Sequence, residues 1–514
     1  MSKPGVDSAE SIHPIGNGSN RSGPEWILVT LACVGQLIVV LDVSIVNVAL
    51  PGIRASLGFG EQDLQWVVTA YTLTFAGFML IGGRASDLFG RKRMFVVSLA
   101  LFTLASLAGG LAPNATALIV ARTIQGIGGA ILAPATLAII TTTFDEGPKQ
   151  TQAIATWTMM GAAGGAIGAI LGGVFTELLS WRWVLLVNVP VGLLLAVLAI
   201  VYLRNDMVSP GGGLDVFGSV TATAGFIVLV YGLVESGKAA GFDAKAIISV
   251  ASGLVLLLVF LVIESKVTAH SLLPLHILRR RAVAVANATM FLLGAGFFSV
   301  LYFVSLYLQG VRGYSPVAAG FAFVPFAAAT VVGAQGASKL LRRRVPARRL
   351  IVTGALISAC GFAGLTQLTP ESSIGWAVIM PGLAVFLGIG LALAPTAATA
   401  IWGVKPNESG VVSGLANATR QLGGSVGLAA LTIVAAAHTN LVGEETPTVS
   451  DVTHGYAIAF GVASAILLGA AISATLLPRR PEAQPGVLDH PQGSKVDGDI
   501  NFSRTSSFRR AGKK

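Results

Sequence analysis

The sequence predicts an all-α polytopic membrane protein, and three observations carry that prediction: its composition, the length and spacing of its apolar runs, and the side of those runs on which its basic residues fall. Of the 514 residues, 54% belong to the AVILMFWYC set and 11% are charged, whereas ordinary soluble domains carry roughly 25% charged residues. With 62 glycines and a mean hydropathy of +0.76, the chain suits helices in lipid, where glycine is commoner than in soluble helices. A soluble fold, a coiled coil, a collagen and a disordered chain are excluded together.

Crossing a hydrocarbon layer of about 30 Å takes around 20 apolar residues. Fourteen runs of that kind begin near Trp26, Trp66, Met94, Leu118, Ala153, Trp183, Val216, Ala246, Ala282, Pro316, Leu350, Trp376, Val411 and Tyr456. An even count places both termini on one side. Lys and Arg fix which side, because cytoplasmic loops hold the excess. With the N-terminus inside, 27 of the 34 fall in cytoplasmic segments and five (Arg54, Arg182, Lys238, Lys245, Arg312) in outer ones, while Arg122 and Arg420 lie within spans. The expected location is the cytoplasmic membrane with both termini cytoplasmic. The net charge of +10 is then explained by basic loops lying against an anionic leaflet, and no nucleic-acid partner is implied. Cys33 and Cys360 both fall in apolar runs, which argues against a disulfide framework or a cysteine-based metal site.

Residues 1–25 are polar with no apolar core and read as a cytoplasmic tail before a retained first span. A weak internal repeat follows at an offset of roughly 250 to 260 residues, as transporters built from repeats display. Gly83–Arg93 (GRASDLFGRKR) follows span 2 and Gly336–Arg349 follows span 10; Gly161–Gly173 opens span 5 and Arg420–Gly427 lies in span 13. The chain therefore divides into an N-terminal six-helix bundle (26–204), an inserted pair of helices (205–265), a C-terminal six-helix bundle (266–477) and a Pro-, Gly- and Arg-rich tail (478–514) expected to be disordered.

Asp42 stands in LIVVLDVSIVNVALP of span 1, where an ionised carboxylate costs about 2.5–3.5 kcal/mol on the lenient insertion scale. Burial raises a carboxylate's pKa and a nearby cation lowers it, so such an Asp is suited to exchange a proton; the alternative is a permanently paired structural Asp. Arg122 in LIVARTIQGIGG of span 4 is the matching cation, unless it snorkels to the outer interface. Gln125, Gly126 and Gly129 share its helix face. Arg420, near Asn417 and Gln421 in span 13, serves a cavity or snorkels inward. In span 5, Gly161, Gly164, Gly165, Gly168, Gly172 and Gly173 form small-residue stripes that mark close helix packing. The loop between spans 2 and 3 is expected to have four or five free residues, with Asp87 placed to meet a helix N-terminus or the cluster Arg91, Lys92 and Arg93. No GxxxxGK[ST], HExxH or usable GxSxG is present, so neither an enzyme nor a nucleotide-driven pump is expected. No cofactor is implied.

Together these strings resemble the major facilitator superfamily, in its fourteen-span drug:proton antiporter branch, from Trp26 to Leu477. LDVSIVNVALP resembles the span 1 signature, QWVVTAYTL (Gln65–Leu73) the span 2 opening, and GRASDLFGRKR the superfamily's loop motif. LIVARTIQGIGG resembles the span 4 motif, SWRWVLLVNVPVG (Ser180–Gly192) a hallmark between spans 5 and 6, and YLQGVRGYSPVAAG and SGLANATRQLGGSVG features of the second half. The resemblance implies proton coupling through Asp42 and Arg122, and gating by Gly83, Asp87, Gly90, Arg91 and Lys92. It departs at Ala169, where the span 5 motif usually carries Pro, so any bend there must come from glycines alone, and at Leu185, where Phe is favoured.

The expected function is proton-coupled efflux of amphiphilic drugs or antibiotics by a monomer, through a midplane cavity opening alternately to each side. Asn47, Gln125, Gln309 and Arg420 are the candidate substrate contacts. Export of an endogenous metabolite or lipid precursor, and proton symport of a small organic ion, remain alternatives at this point.

Overall fold

A computed structural model describes residues 24–60, 63–144, 148–203, 216–238, 243–266, 275–402, 404, 409–439 and 448–478. The expectations for the two tails, at 1–23 and beyond 478, lie outside the described residues. Helices α1 (Glu25–Leu57), α2 (Trp66–Phe89), α3 (Arg91–Gly110), α4 (Ala115–Thr143) and α5 (Pro148–Leu178) are followed by a span broken at Val187 into α6 (Trp183–Leu186) and α7 (Asn188–Tyr202). Then come α8 (Val216–Lys238), α9 (Ala244–Lys266), a short α10 (Leu275–Leu278) and α11 (Arg281–Leu306), which continues as a π-helical turn at Tyr307–Val311. Span 10 is split into α12 (Pro316–Ala322) and α13 (Val324–Arg342). Helices α14 (Ala347–Leu365), α15 (Met380–Ala400, preceded by a π turn at Gly375–Ile379), α16 (Ser409–Thr439) and α17 (Val449–Thr475) complete the chain. No strand occurs among the described residues.

Every span read from the sequence finds a helix that starts at the expected residue or up to seven before it. The early starts are polar or charged first turns that carry no hydropathy signal, such as the Asn114 cap, whose side chain accepts from the Ala117 N–H at 2.9 Å, and the Thr448–Asp451 capping box. Caps of this kind supply partners for amides that a first helical turn leaves unpaired. Thirteen helices among the described residues are long and apolar enough to cross a membrane; the apolar stretch Trp66–Met79 of α2 is shorter, within a helix of 24 residues. Tyr71, Thr72 and Leu73 of α2 are buried, because this helix lies inside the bundle.

The junction of α2 and α3 differs from the loop read in the sequence. Nothing between Gly83 and Gly90 breaks a helix, so α2 runs on through Phe89, and one residue, Gly90, makes the turn at φ 87° and ψ 138°. A positive φ of that kind favours glycine, which has no Cβ to clash.

In the first half α5 packs along α1, and α4 packs against α2 and α3; in the second, α11 packs on α16 and α14 on α15 and α17. The pair α8–α9 attaches through α8, which touches α2 and α16 with Val230 and Val234 buried beside Leu73 and Ala429. Helix α9 turns Ile248, Leu254, Val255 and Leu258 outward, as a helix against hydrocarbon does.

The span 5 glycines are used on two sides. A Cβ at Gly164, Gly168 or Gly172 would stand 3.1, 2.8 or 2.5 Å from the carbonyl oxygens of Leu37, Leu41 and Ile45 of α1, so the four-residue spacing lets two backbones touch over two turns on either side of Asp42. Gly173 faces the second half instead, where an added Cβ would collide with the Pro316 carbonyl, and an added Cβ at Gly320 of α12 would collide with the Ala169 carbonyl. Gly161 lies against Gln36, and Gly165 has open space at its Cβ position. Helix α5 runs without interruption through Ala169, which retains the amide that Pro would remove.

Candidate functional site

The first half holds a buried polar network around Asp42, which is 0% exposed, and Arg122, 1% exposed. One Arg122 Nη1 donates to Asp42 Oδ2 at 2.6 Å and to Gln125 Oε1 at 2.8 Å, and Nε donates to the Val67 carbonyl at 3.0 Å. The guanidinium lies 4.4 Å from the centre of the Tyr71 ring, a cation–π placement. Asp42 Oδ1 accepts from Gln125 Nε2 at 2.7 Å and from Asn188 Nδ2 at 3.0 Å, and Ser106 Oγ accepts from the same two amides at 2.6 and 3.3 Å. Five helices, α1, α2, α3, α4 and α7, thus meet on one ion pair. The geometry follows from local sequence: Arg122 and Gln125 are three residues apart on α4 and share a face. Removing one partner of such a buried pair costs about 3–5 kcal/mol, because the other charge is left uncompensated.

A second feature lies between the halves. A cavity of about 1020 Å³ is lined by α1, α2, α4 and α5 on one side and by α11, α13, α15 and α16 on the other. Its walls include Phe75, Trp157, Phe298, Phe326 and Phe386, and it reaches the basic end of the bundle at Arg84, Thr141 and Val411. The far end is shut. There Ser305 Oγ donates to the Asn47 carbonyl at 2.7 Å, Gln309 Nε2 to the Val48 carbonyl at 2.9 Å, and the Val317 amide to Glu177 Oε2 at 2.9 Å. All three join the first half to the second.

Asp42 does not line the cavity, yet it is tied to it by its own helix. Val40 and Ser44, two residues to either side, do line it, and a two-residue step on a helix points about 200° away. Ser44 Oγ also donates to the Gly165 carbonyl of α5 at 2.6 Å.

The candidate residues therefore separate by place. Asp42, Arg122 and Gln125 form the network. Asn47 and Gln309 lie at the closed end, where the Asn47 side chain donates to its own helix at Val43. Arg420 lines the cavity and donates to Asn417 Oδ1 at 2.9 Å, while Asn417 Nδ2 reaches Met79 Sδ of the first half at 3.4 Å. Gly83 lines the cavity, its Cβ direction 4.0 Å from Pro134. Gly90 makes the turn described above, and Arg91 begins α3, half-buried. Lys92 Nζ donates to the Ile200 carbonyl in the last turn of α7 at 2.7 Å, a favourable site for a cation. Asp87 lies in α2, and its side chain is outside the described residues.

Sequence reasoning missed Ser106, Asn188 and Tyr71. Asn188 carried a signal, a lone amide in an apolar span inside a quoted motif; Ser106 carried none, since small hydroxyls are common in membrane helices.

Residues 32–428 match the Major Facilitator Superfamily. The chain is 41% identical over 487 residues to the cephamycin export protein CmcT of Amycolatopsis lactamdurans, covering 94% of this chain and 99% of that protein. It is 36% identical to the puromycin resistance protein pur8 of Streptomyces alboniger, covering 89% and 92%. Among solved structures, a bacterial homolog of the human lysosomal transporter Spinster, inward-facing and unoccupied, superposes with a TM-score of 0.64 at 16% identity over 88% of this chain and 97% of that one. The xylose transporter XylE from E. coli, inward open, gives 0.61 at 13% identity over 90% and 98%. A bundle of apolar spans in two halves around a central cavity, with a sequence match from the first span into the thirteenth, makes this chain a multi-pass membrane protein that belongs to the Major Facilitator Superfamily.

Proposed function

We propose that the protein exports amphiphilic small molecules, antibiotics among them, across the cytoplasmic membrane in exchange for protons. The observation that carries this reading is the buried Asp42–Arg122 pair, set behind the wall of a large aromatic cavity that reaches the basic end. The names of the relatives support the substrate class: cephamycin export, puromycin resistance, and tetracenomycin C resistance and export.

The basic end is the cytoplasmic one by the positive-inside rule, with both termini there, and this conformation is the inward-open one. The two bundles, α1–α7 and α11–α17, rock against each other, the glycine-lined contacts of α5 with α1 and α12 being the surfaces that slide, and the pair α8–α9 rides on the seam. The ionised pair belongs to the inward-open state. A proton arriving from outside on Asp42 cancels its attraction for Arg122, shifts α1 against α5, and alters the wall at Val40 and Ser44. Each charge carried inward across the potential supplies about 2.3 kcal/mol per 100 mV. The pair and the cavity both come from one chain, which works as a monomer.

The test uses inverted vesicles with an acid interior, a pH dye and a panel of amphiphilic antibiotics and dyes. Drug addition should collapse the gradient with the wild type and leave it standing with Asp42→Asn. Proton flux from no drug in the panel, or an Asp42→Asn response equal to wild type, overturns the reading.

A further inference from the structure

The cavity wall is apolar and aromatic, and its charges have one sign. Arg84 stands at the mouth and Arg420 deeper in, and among the described residues no Asp or Glu lines it. Arg420 lies eleven residues into α16, about 16 Å from the helix start at 1.5 Å per residue. It is held in place on both sides: its carbonyl is in backbone contact with Gly294 of α11, and its guanidinium donates to Asn417 Oδ1 at 2.9 Å. No carboxylate among the described residues pairs with it. Beside it, Gln421 is 4% exposed and lines the same cavity, yet its Oε1 has no hydrogen-bond partner among the described residues.

A guanidinium at membrane depth without a counter-charge is costly, and so is a buried amide oxygen without a donor. The Asp42 carboxylate meets neither need, since both its oxygens are taken by Arg122, Gln125 and Asn188 in the network behind α1.

We propose that the substrate is an amphiphilic organic anion whose carboxylate or sulfonate is held by Arg420, with its ring system lying among Phe298, Phe326, Phe386 and Trp157. This rests on the reading of the cavity as the export site and narrows its substrate class. An arginine presents paired donors to a planar or tetrahedral oxyanion, and the same charge repels a cation from a wall of low dielectric. Export of an anion against entering protons is also driven by an inside-negative potential, because both movements carry positive charge inward or negative charge out.

The experiment compares two permanently charged probes on one ring system, naphthylethyl sulfonate and naphthylethyl-trimethylammonium, neither of which crosses a bilayer unaided. Uptake into inverted vesicles is measured under an imposed inside-acid gradient beside the same panel of amphiphilic antibiotics and dyes, its uncharged members included. The sulfonate should reach half-saturation at about one tenth of the ammonium concentration or less, the factor one charge-assisted hydrogen bond supplies. Arg420→Gln should erase that preference and Arg420→Lys should keep it in weakened form. Equal use of both probes, preference for the ammonium, an unchanged preference in Arg420→Gln, or gradient-driven uptake of neutral drugs with none of the sulfonate each overturns the anion proposal and leaves the exporter reading intact. Uptake of nothing in probes or panel sinks the exporter reading itself. Should Arg420→Gln fail to fold, the wild-type ratio and Arg420→Lys decide the matter.

Discussion

The two halves of the molecule share a helical frame and fill it with opposite chemistry. Behind α1 the first half encloses an ion pair and three polar side chains with no water-facing surface: Asp42, Arg122, Gln125, Ser106 and Asn188 are each 1% exposed or less. The second half packs aromatic rings instead. Phe326 and Phe386 stack at 5.1 Å, Phe297 meets Phe386 edge-on at 5.9 Å, and Phe303 and Phe460 are 5.8 Å apart. Offset-stacked and edge-on pairs are the favoured aromatic geometries. Arg420 of the second half faces the cavity rather than a carboxylate among the described residues. The difference teaches a division of labour that the proposed function would use: the first half buries a polar network in which a proton would change the charge balance, and the second half supplies much of the aromatic wall and the cavity-facing Arg420.

The sharpest way to break that comparison is to remove each arginine in turn. Arg122→Ala should lower stability by about 3–5 kcal/mol, since it strands Asp42 in a buried site; Arg420→Ala should cost under about 1.5 kcal/mol, the value of its bond to Asn417. Thermal unfolding in detergent, followed by helical circular dichroism, reads both. Equal losses would mean that Arg420 is a structural charge like Arg122.

The glycine contacts give the next effect. Gly172→Ala forces a Cβ to within 2.5 Å of the Ile45 carbonyl and should cost about 1–3 kcal/mol by overpacking. Gly165→Ala, with nothing within 4 Å, should change stability by less than about 0.5 kcal/mol. The same unfolding assay separates them, and a tolerated Gly172→Ala would show that α1 and α5 can part to admit a methyl group.

Ala169→Pro sharpens the same seam. A proline inside a helix ordinarily costs about 3 kcal/mol or more, in part by leaving the carbonyl four residues earlier without its donor. Here that carbonyl belongs to Gly165 and already accepts from Ser44 Oγ. The substitution should therefore cost more in a Ser44→Ala background than alone, by about 1 kcal/mol in a double-mutant cycle. Additivity would remove Ser44 from the account.

The smallest effect concerns the contacts that join the halves at the closed end. Glu177→Gln weakens the acceptor for the Val317 amide and should shift the balance toward opening there by about 1 kcal/mol, roughly fivefold in population. Labelling rates of a single cysteine placed at Ser305, with and without Glu177→Gln, measure it; unchanged rates would show that the apolar contacts of α5 with α12 hold the end shut unaided.

Much of this was legible in the chain. Fourteen spans, the basic side and the pairing of an acid with a cation followed from residues whose cost in lipid leaves few alternatives: Asp42 and Arg122 each needed a partner, and each was the other's nearest option in kind. Span boundaries erred where polar first turns extended a helix, and the expected loop before Arg91 closed to the single residue Gly90, because helix continuation depends on breakers rather than on hydropathy. In the sequence Gln125, Asn47 and Gln309 form one class of polar group, and the structure separates them into the network and the closed end, since depth in a span does not say which neighbour a side chain meets.

By itself, then, the sequence determined that this chain crosses a membrane many times, which end is basic, and that an acid and two arginines stand at depth, because burial of charge in hydrocarbon is a constraint on each residue separately. Tertiary structure alone decided that Ser106 and Asn188, distant in sequence, complete the shell of Asp42, that the four-spaced glycines press on the carbonyls beside it, and that Arg420 is left facing an aromatic cavity. Those outcomes depend on which helix faces which, and that is set by the packing of backbones at close range.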